Sequence, residues 1–327
     1  MKKFLSIFFL FALLLLSSCS PKRYSTQYWG LFDTVVDVEG YFESEEEFKR
    51  ADGLIYSTLA YYHELFNIYA DSDTLINLKK VNESGGEPIR VERDLFEFIK
   101  YLKYTNDSTL GACNPALGAV SMLWKEAIAD KTLPNEALLE EASRHCNMDT
   151  VILDEKSLTV TLTDPKLRLD AGAVAKGYVT GKLYETLKEN GFDNILVNIG
   201  GNVLALGKKG DGKAWVAGVR DPLGNGYSKT LEICDTSLIT SGGYERGAEI
   251  DGDYFHHIIN PETLSPASGH LSVTVLSEDA ALADMLSTAL FVLSVEDGKE
   301  LLKKFDSVEV LWIEPGGKQI KTENFPE

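Results

Sequence analysis

Four short stretches carry residue types suited to chemistry on a phosphorylated ligand. The first is Leu167-Arg-Leu-Asp-Ala-Gly-Ala-Val-Ala-Lys-Gly-Tyr178, which reads as a strand passing straight into a helix. Small side chains let backbone groups approach a ligand, and a lysine beside a helix N-terminus favours phosphate. Asp170, at the strand's end, is placed to accept hydrogen bonds. The same small residues equally suit a helix packed tightly on a sheet. They are not a P-loop, because GxxxxGK[ST] occurs nowhere in the chain.

The second stretch is Ala283-Asp-Met-Leu-Ser-Thr-Ala-Leu290. On a helix, Asp284 and Thr288 share a face, while Leu286 and Leu290 turn toward another. A carboxylate and a hydroxyl together suit a hard cation such as magnesium. Alone, the pattern is equally that of a cap or an ion pair. Third comes His256-His257-Ile-Ile-Asn-Pro. Neighbouring strand residues face opposite ways, so the two histidines do not chelate one metal. One is expected to face a site as acid, base or phosphate donor, and the other solvent. Fourth, Thr240-Ser-Gly-Gly-Tyr-Glu-Arg246 joins a flexible turn to hydroxyls and an arginine. The glycines through Gly212 lack the strand-to-helix setting of a dinucleotide fold, which excludes a Rossmann reading.

The elements that must position these groups change character along the chain. Thr34 to Tyr41 alternates as a strand, and Ser44 to Ala70 carries a long helical period with acidic residues in its first turn. Helical patterns follow at 91–105, 114–129, 173–190 and 280–293. From Thr150 onward the chain turns to short β-rich runs: VILD, LTVTLT, LRLD, ILVNI, VLALG and AWVAGV. Gly200-Gly201 reads as a tight turn, and Asp251-Gly252 as a two-residue hairpin loop, since both positions there need positive φ. Helices toward the N-terminal half and antiparallel strands toward the C-terminal half favour α+β over a doubly wound parallel sheet.

The chain has 327 residues, with 32 Lys plus Arg against 50 Asp plus Glu, a formal charge of −18. Such a surface repels phosphodiester backbones, so nucleic acid is excluded as a partner. Lys2, Lys3, an apolar run from Phe4 to Leu16 and Ser17-Ser18-Cys19 form a secretory signal with a lipobox. The expectation is a signal peptide over 1–18, a lipid-anchored Cys19, a polar tether over 19–29 and a catalytic domain over 30–327. That places the domain in the cell envelope, on the extracytoplasmic face of a bacterial membrane. Cys113, Cys146 and Cys234 are widely spaced without a CxxC pair. They form neither a zinc cluster nor a disulfide framework, and buried thiols are expected.

Taken in order, these segments resemble the ApbE family of FAD:protein FMN transferases. The motifs are Gly30-Leu-Phe-Asp-Thr34, Ala112-Cys-Asn-Pro-Ala-Leu-Gly118, LDAGAVAKGY, NIGGNVLALG, TSGGYER, HHIINPETLSP and ADMLSTALFVL. The resemblance implies an α+β, T-fold-like unit of antiparallel sheets with packed helices. It implies Mg2+ as cofactor, held by Asp284, Thr288 and the carbonyl of Ala173. It implies FAD as substrate, contacted by Asp170, Lys176 and Ile258, with Ala112, Cys113 and Asn114 near the flavin and Phe32 at the mouth of the site. His257 matches a histidine near the pyrophosphate, with Asp284 the other catalytic position. Two departures are Phe32-Asp33-Thr34 where the family often has Met-Gly-Thr, and Asn114 where it often has aspartate.

The implied reaction moves FMN from FAD onto a threonine or serine hydroxyl of a target flavoprotein and releases AMP. Implied partners are flavoprotein subunits of membrane redox complexes, of the Rnf or Na+-translocating NADH:quinone reductase type, or other exported flavoproteins. Two alternatives use the same residues. Water replaces the hydroxyl in an FAD pyrophosphatase, and a flavin-binding lipoprotein performs no chemistry.

Overall fold

The computed structural model describes residues 21–327. The signal segment and Cys19 therefore lie outside the described residues. Most of the stretch expected as a polar tether, 19–29, falls instead in the strand Lys22–Leu31, paired antiparallel with Thr34–Phe42. Its alternation explains this: Tyr24 and Tyr28 pack against the main core, while the residues between them stay polar.

Eight strands form the central sheet. They are Lys22–Leu31, Thr34–Phe42, Ile195–Ile199, Asn202–Leu206, Thr236–Gly242, Ser272–Ser277, Glu309–Ile313 and Gln319–Lys321. They lie side by side in chain order, and every pair is antiparallel. The α+β expectation holds, and the helices enter as insertions between sheet neighbours. The largest insertion separates Thr34–Phe42 from Ile195–Ile199, and the long helix Glu45–Leu65 opens it. Ser44 caps that helix by accepting from Glu47 N, and Ala51, Ile55, Leu59, Tyr62 and Leu65 bury one stripe. The helix stops five residues short of the expected Ala70. Asn67 turns the chain there, its side-chain oxygen accepting from the N–H groups of Tyr69 and Ala70.

The period of two along the sheet sorts its faces. Val310 and Trp312 join the core under the helices, whereas Leu311 and Ile313 face the hairpin Trp215–Arg220/Tyr227–Ile233. Both faces of this part of the sheet are thus dry. Each fully buried large apolar side chain contributes about 1.5–3 kcal/mol. A third cluster, with Leu117, Val120, Trp124, Leu139 and Ile259, seats the helices Gly118–Asp130 and Glu136–Ser143.

Local readings were met unevenly. The Asp251-Gly252 loop joins Gly247–Ile250 to Asp253–His256, with φ of 54° and 94°. Gly200 and Gly201 turn with φ of 54° and 93°. The run Leu167–Asp170, expected as a strand, makes only an isolated bridge between Arg168 and Leu117. A turn over 172–174 then intervenes before the helix Ala175–Glu189 begins.

Candidate active site

The buried helix Ala280–Val292 carries the central carboxylate. Asp279 caps it, its side chain accepting from Leu282 N, and nearly every face of the helix is apolar and covered. Asp284 is 3% exposed, and its Oδ2 accepts from the backbone N–H of Gly177 at 2.6 Å. Burial pushes its pKa up, against the pull of Lys176 and the Gly177 N–H. One turn on, the Thr288 hydroxyl donates to the Ala173 carbonyl at 3.3 Å. Ser241 closes the group, its hydroxyl 2.8 Å from that of Ser287 and 3.4 Å from that of Thr288.

Among the described residues no group of three or more His, Cys, Asp or Glu gathers to hold a metal. Asp284, Thr288 and Ala173 nevertheless form a set of hard oxygens: a carboxylate, a hydroxyl and a carbonyl. A buried carboxylate with a single close N–H donor gains from a cation, and this donor set fits magnesium completed by ligand phosphate and water.

Beside this group lies a cleft of about 150 Å³ lined by Phe32, Asp33, His63, Asp170, Lys176 and Arg246, among others. Asp170 reaches it from the segment before the helix, its N–H on Pro115 O at 2.8 Å and its Oδ1 accepting from Gly172 N at 2.8 Å. Surrounding protein raises its pKa, and the charge of Lys125 opposes that. Lys176 and Arg246 form no ion pair with a carboxylate among the described residues. Lys176 and Arg246 thus bring two cations free to meet an anion into a cleft that Asp33 and Asp170 also line. A larger, open groove of about 520 Å³ on the sheet's outer face has Asp37 and Glu39 in its lining and no cation. It does not suit a phosphorylated ligand.

The paired histidines separate as the strand geometry demands, but the one turned away from the cleft, His256, is buried and does not face solvent. His256 is buried and spends both ring nitrogens on backbone, Nε2 donating to Ala267 O at 2.9 Å and Nδ1 accepting from Ile258 N at 3.2 Å. Its role is structural. His257 sits exposed at the rim, its Nδ1 3.2 Å from the carbonyl of Arg246. A carbonyl only accepts, so Nδ1 carries the proton and Nε2 keeps a free lone pair. Neighbouring protein first, and then the charges of Arg246 and Lys176, push its pKa down. Solvent at the rim moderates that shift without changing its sign.

Not every expected contact reaches the cleft. Cys113 is 2% exposed, with its N–H on Thr109 Oγ1, and Ile258 is buried in the main core. Asn114 spends its side chain on backbone, donating to Cys146 O across 32 residues and accepting from Ala116 N in its own loop. Cys113, Asn114 and Ala112, which is packed against the core, are absent from the cleft's lining, as are Ile258 and His257.

Other residues arrive that sequence reasoning passed over. His63 lines the cleft from the last turn of its helix and Tyr69 because the helix ends early, where Asn67 was the available signal as a turn former. Lys125, from the helix Gly118–Asp130, stands 3.7 Å over the Tyr69 ring. Arg246, noted only as part of a motif, donates to the carbonyl of Asp33 at 3.0 Å. The turn it grips is strained: Phe32 and Asp33 both have φ of 53°. Left-handed backbone costs an L-residue roughly 1–2 kcal/mol, and Asp tolerates it better than Phe.

Comparison with known proteins gives a consistent result. The model of the ApbE family matches residues 32–312. The FAD:protein FMN transferase of Treponema pallidum is 36% identical over 249 residues, covering 71% of this chain and 69% of that protein. The FAD:protein FMN transferase of Klebsiella pneumoniae is 30% identical over 262 residues, covering 79% and 80%. The crystal structure of the ApbE protein of Thermotoga maritima superposes with a TM-score of 0.83 at 28% identity, over 92% of this chain and 97% of that one.

Proposed function

The chain belongs to the ApbE family, and on that premise we propose that it is an FAD:protein FMN transferase that moves FMN onto a threonine or serine of a target protein and releases AMP. The observation that carries this reading is the pairing of an unmatched cation pair, Lys176 and Arg246, with the oxygen set of Asp284, Thr288 and Ala173. A pyrophosphate needs both. Cations bind its outer oxygens, and Asp284, Thr288 and the Ala173 carbonyl would hold a Mg2+ ion, which would supply positive charge against that of the phosphates.

The chain's own residues supply the rest. Lys176 and Arg246 orient the pyrophosphate, and Asp170 accepts hydrogen bonds from the ligand. His257 Nε2 takes the proton of the acceptor hydroxyl as its oxygen attacks the phosphorus next to riboflavin. The new phosphoester bond forms as the bond to AMP breaks, and AMP leaves with the bridging oxygen. Phe32 at the mouth limits water around the reacting atoms.

The acceptor is proposed to be an exported flavoprotein, such as a subunit of a membrane redox complex of the Rnf or Na+-translocating NADH:quinone reductase type. The support is the sequence of an apolar signal and lipobox ending at Cys19, which would tether the enzyme to a membrane outside the cytoplasm. The test incubates the purified protein with FAD, Mg2+ and such a subunit, and reads covalent FMN by mass spectrometry. An adduct on a hydroxyl residue together with AMP is expected. AMP without an adduct would replace transfer by hydrolysis, and bound FAD without turnover would leave only a flavin-binding protein.

A further inference from the structure

We infer that His63 is a positioning residue for FAD, holding the Phe32–Asp33 turn in its left-handed form and so keeping the Phe32 ring at the mouth of the cleft. The inference rests on the proposed function and adds a residue to it. A two-residue turn with positive φ at both positions is built comfortably from Asn and Gly, and here it contains neither. Local preference therefore opposes the observed backbone, which persists only where tertiary contacts over-determine it.

Two such contacts exist, from separate elements. His63, in the last turn of the helix Glu45–Leu65, accepts the Phe32 N–H on Nδ1 at 3.1 Å. Its ring also meets that of Phe32 edge-on, with centroids 5.5 Å apart and planes at 77°. From the other side Arg246 donates to the Asp33 carbonyl at 3.0 Å. Successive residues of one turn are thus gripped at opposite ends. Arg246 has a second task at the pyrophosphate, whereas His63 has its proton-accepting nitrogen committed to the turn. Accepting a backbone N–H requires an unprotonated Nδ1, so Nε2 carries the proton and the ring, committed to the turn, offers the reaction no base.

The test compares steady-state FMN transfer and FAD binding in wild type, His63→Ala and His63→Asn, each also in an Asp33→Gly background. Asn presents an oxygen close to where Nδ1 stands. His63→Ala is expected to raise KM for FAD about tenfold with kcat within about twofold, and His63→Asn to recover most of that loss. Glycine adopts positive φ without strain, so Asp33→Gly should shrink the His63→Ala effect to about threefold or less. Circular dichroism checks folding. If His63→Ala does not fold, His63→Leu keeps the volume without the acceptor and takes its place. An unchanged KM, a loss confined to kcat, or an effect of equal size in the Asp33→Gly background would overturn the inference while leaving the function intact. A wild-type chain that neither binds FAD nor transfers FMN would overturn the proposed function, and this inference with it.

Discussion

Gly177 gives its backbone N–H to the Asp284 carboxylate at 2.6 Å, and a Cβ on Gly177 would stand 2.2 Å from Asp284 Cβ and 2.5 Å from the carbonyl of Ala280. The contact joins the helices Ala175–Glu189 and Ala280–Val292, and it sets the carboxylate beside Thr288 and Ala173. Close helix packing and site assembly are here one requirement.

Gly177→Ala is therefore expected to force the two helices apart. Overpacking of this kind costs about 1–3 kcal/mol. Chemical denaturation should show the loss, and transfer activity should fall further than stability alone accounts for, because Asp284 moves with its helix. A variant as stable and active as wild type would remove the link between packing and site.

Asp284→Asn separates the charge from the shape. The folded carboxyl has a pKa raised above 3.8, so the native state holds its proton more tightly than the unfolded chain does. Above that value this group's contribution to stability declines as pH rises, until its folded pKa is passed. Asn abolishes the decline, so without metal the variant should gain on wild type with increasing pH, as followed by thermal unfolding. Added Mg2+ should stabilise wild type more than the variant, and transfer should fall at least about a hundredfold.

His257→Ala should lower kcat about a hundredfold or more with little change in KM, as expected for loss of a general base. The downward shift of the wild-type imidazole means that its basic form persists below pH 6.5. Wild-type activity should accordingly decline on the acid side only below that point, as the ring becomes protonated. The acid limb should disappear from the residual rate of the variant, and a retained limb would assign it to another group.

Cys113 is expected to resist alkylation in the native protein. Burial first, and then the negative charges of Asp284 and Asp170, push its thiol pKa up, and the nucleophile is the thiolate. Cys146 is less enclosed, its pKa pushed up to about 11 by burial and then by Asp164. All three described cysteines are free. Iodoacetamide followed by peptide mass analysis should label Cys113 only after denaturant is added. Rapid native labelling would place it within reach of solvent.

Several features were legible because they depend on neighbours in sequence. The alternation of Thr34–Phe42, the Asp251-Gly252 loop and the pairing of Asp284 with Thr288 all follow from periods of two or 3.6 and from turn chemistry. Leu167–Asp170 misled for the opposite reason. Its alternation is real, but Leu169 is taken by the Asn82 side chain, which accepts from its N–H and donates to its carbonyl, and only Pro115 and Gly118 meet its neighbours, so no ladder extends beyond the one bridge. Lys22–Leu31 misled because an edge strand with one solvated face has the composition of a linker.

By itself the sequence determined the class of fold, the family through its ordered motifs, and the spacing that puts a carboxylate and a hydroxyl on one helical face. Only the tertiary structure decided which histidine keeps a free nitrogen, that Lys176 and Arg246 line one cleft, and that His63 and Arg246 grip the Phe32–Asp33 turn. The physical reason is range. Periodicity and turn preference act over a few residues of chain, whereas His256 and His257 find carbonyl partners 11 residues away, and His63 with Phe32 and Arg246 with Asp33 meet across 31 and 213 residues.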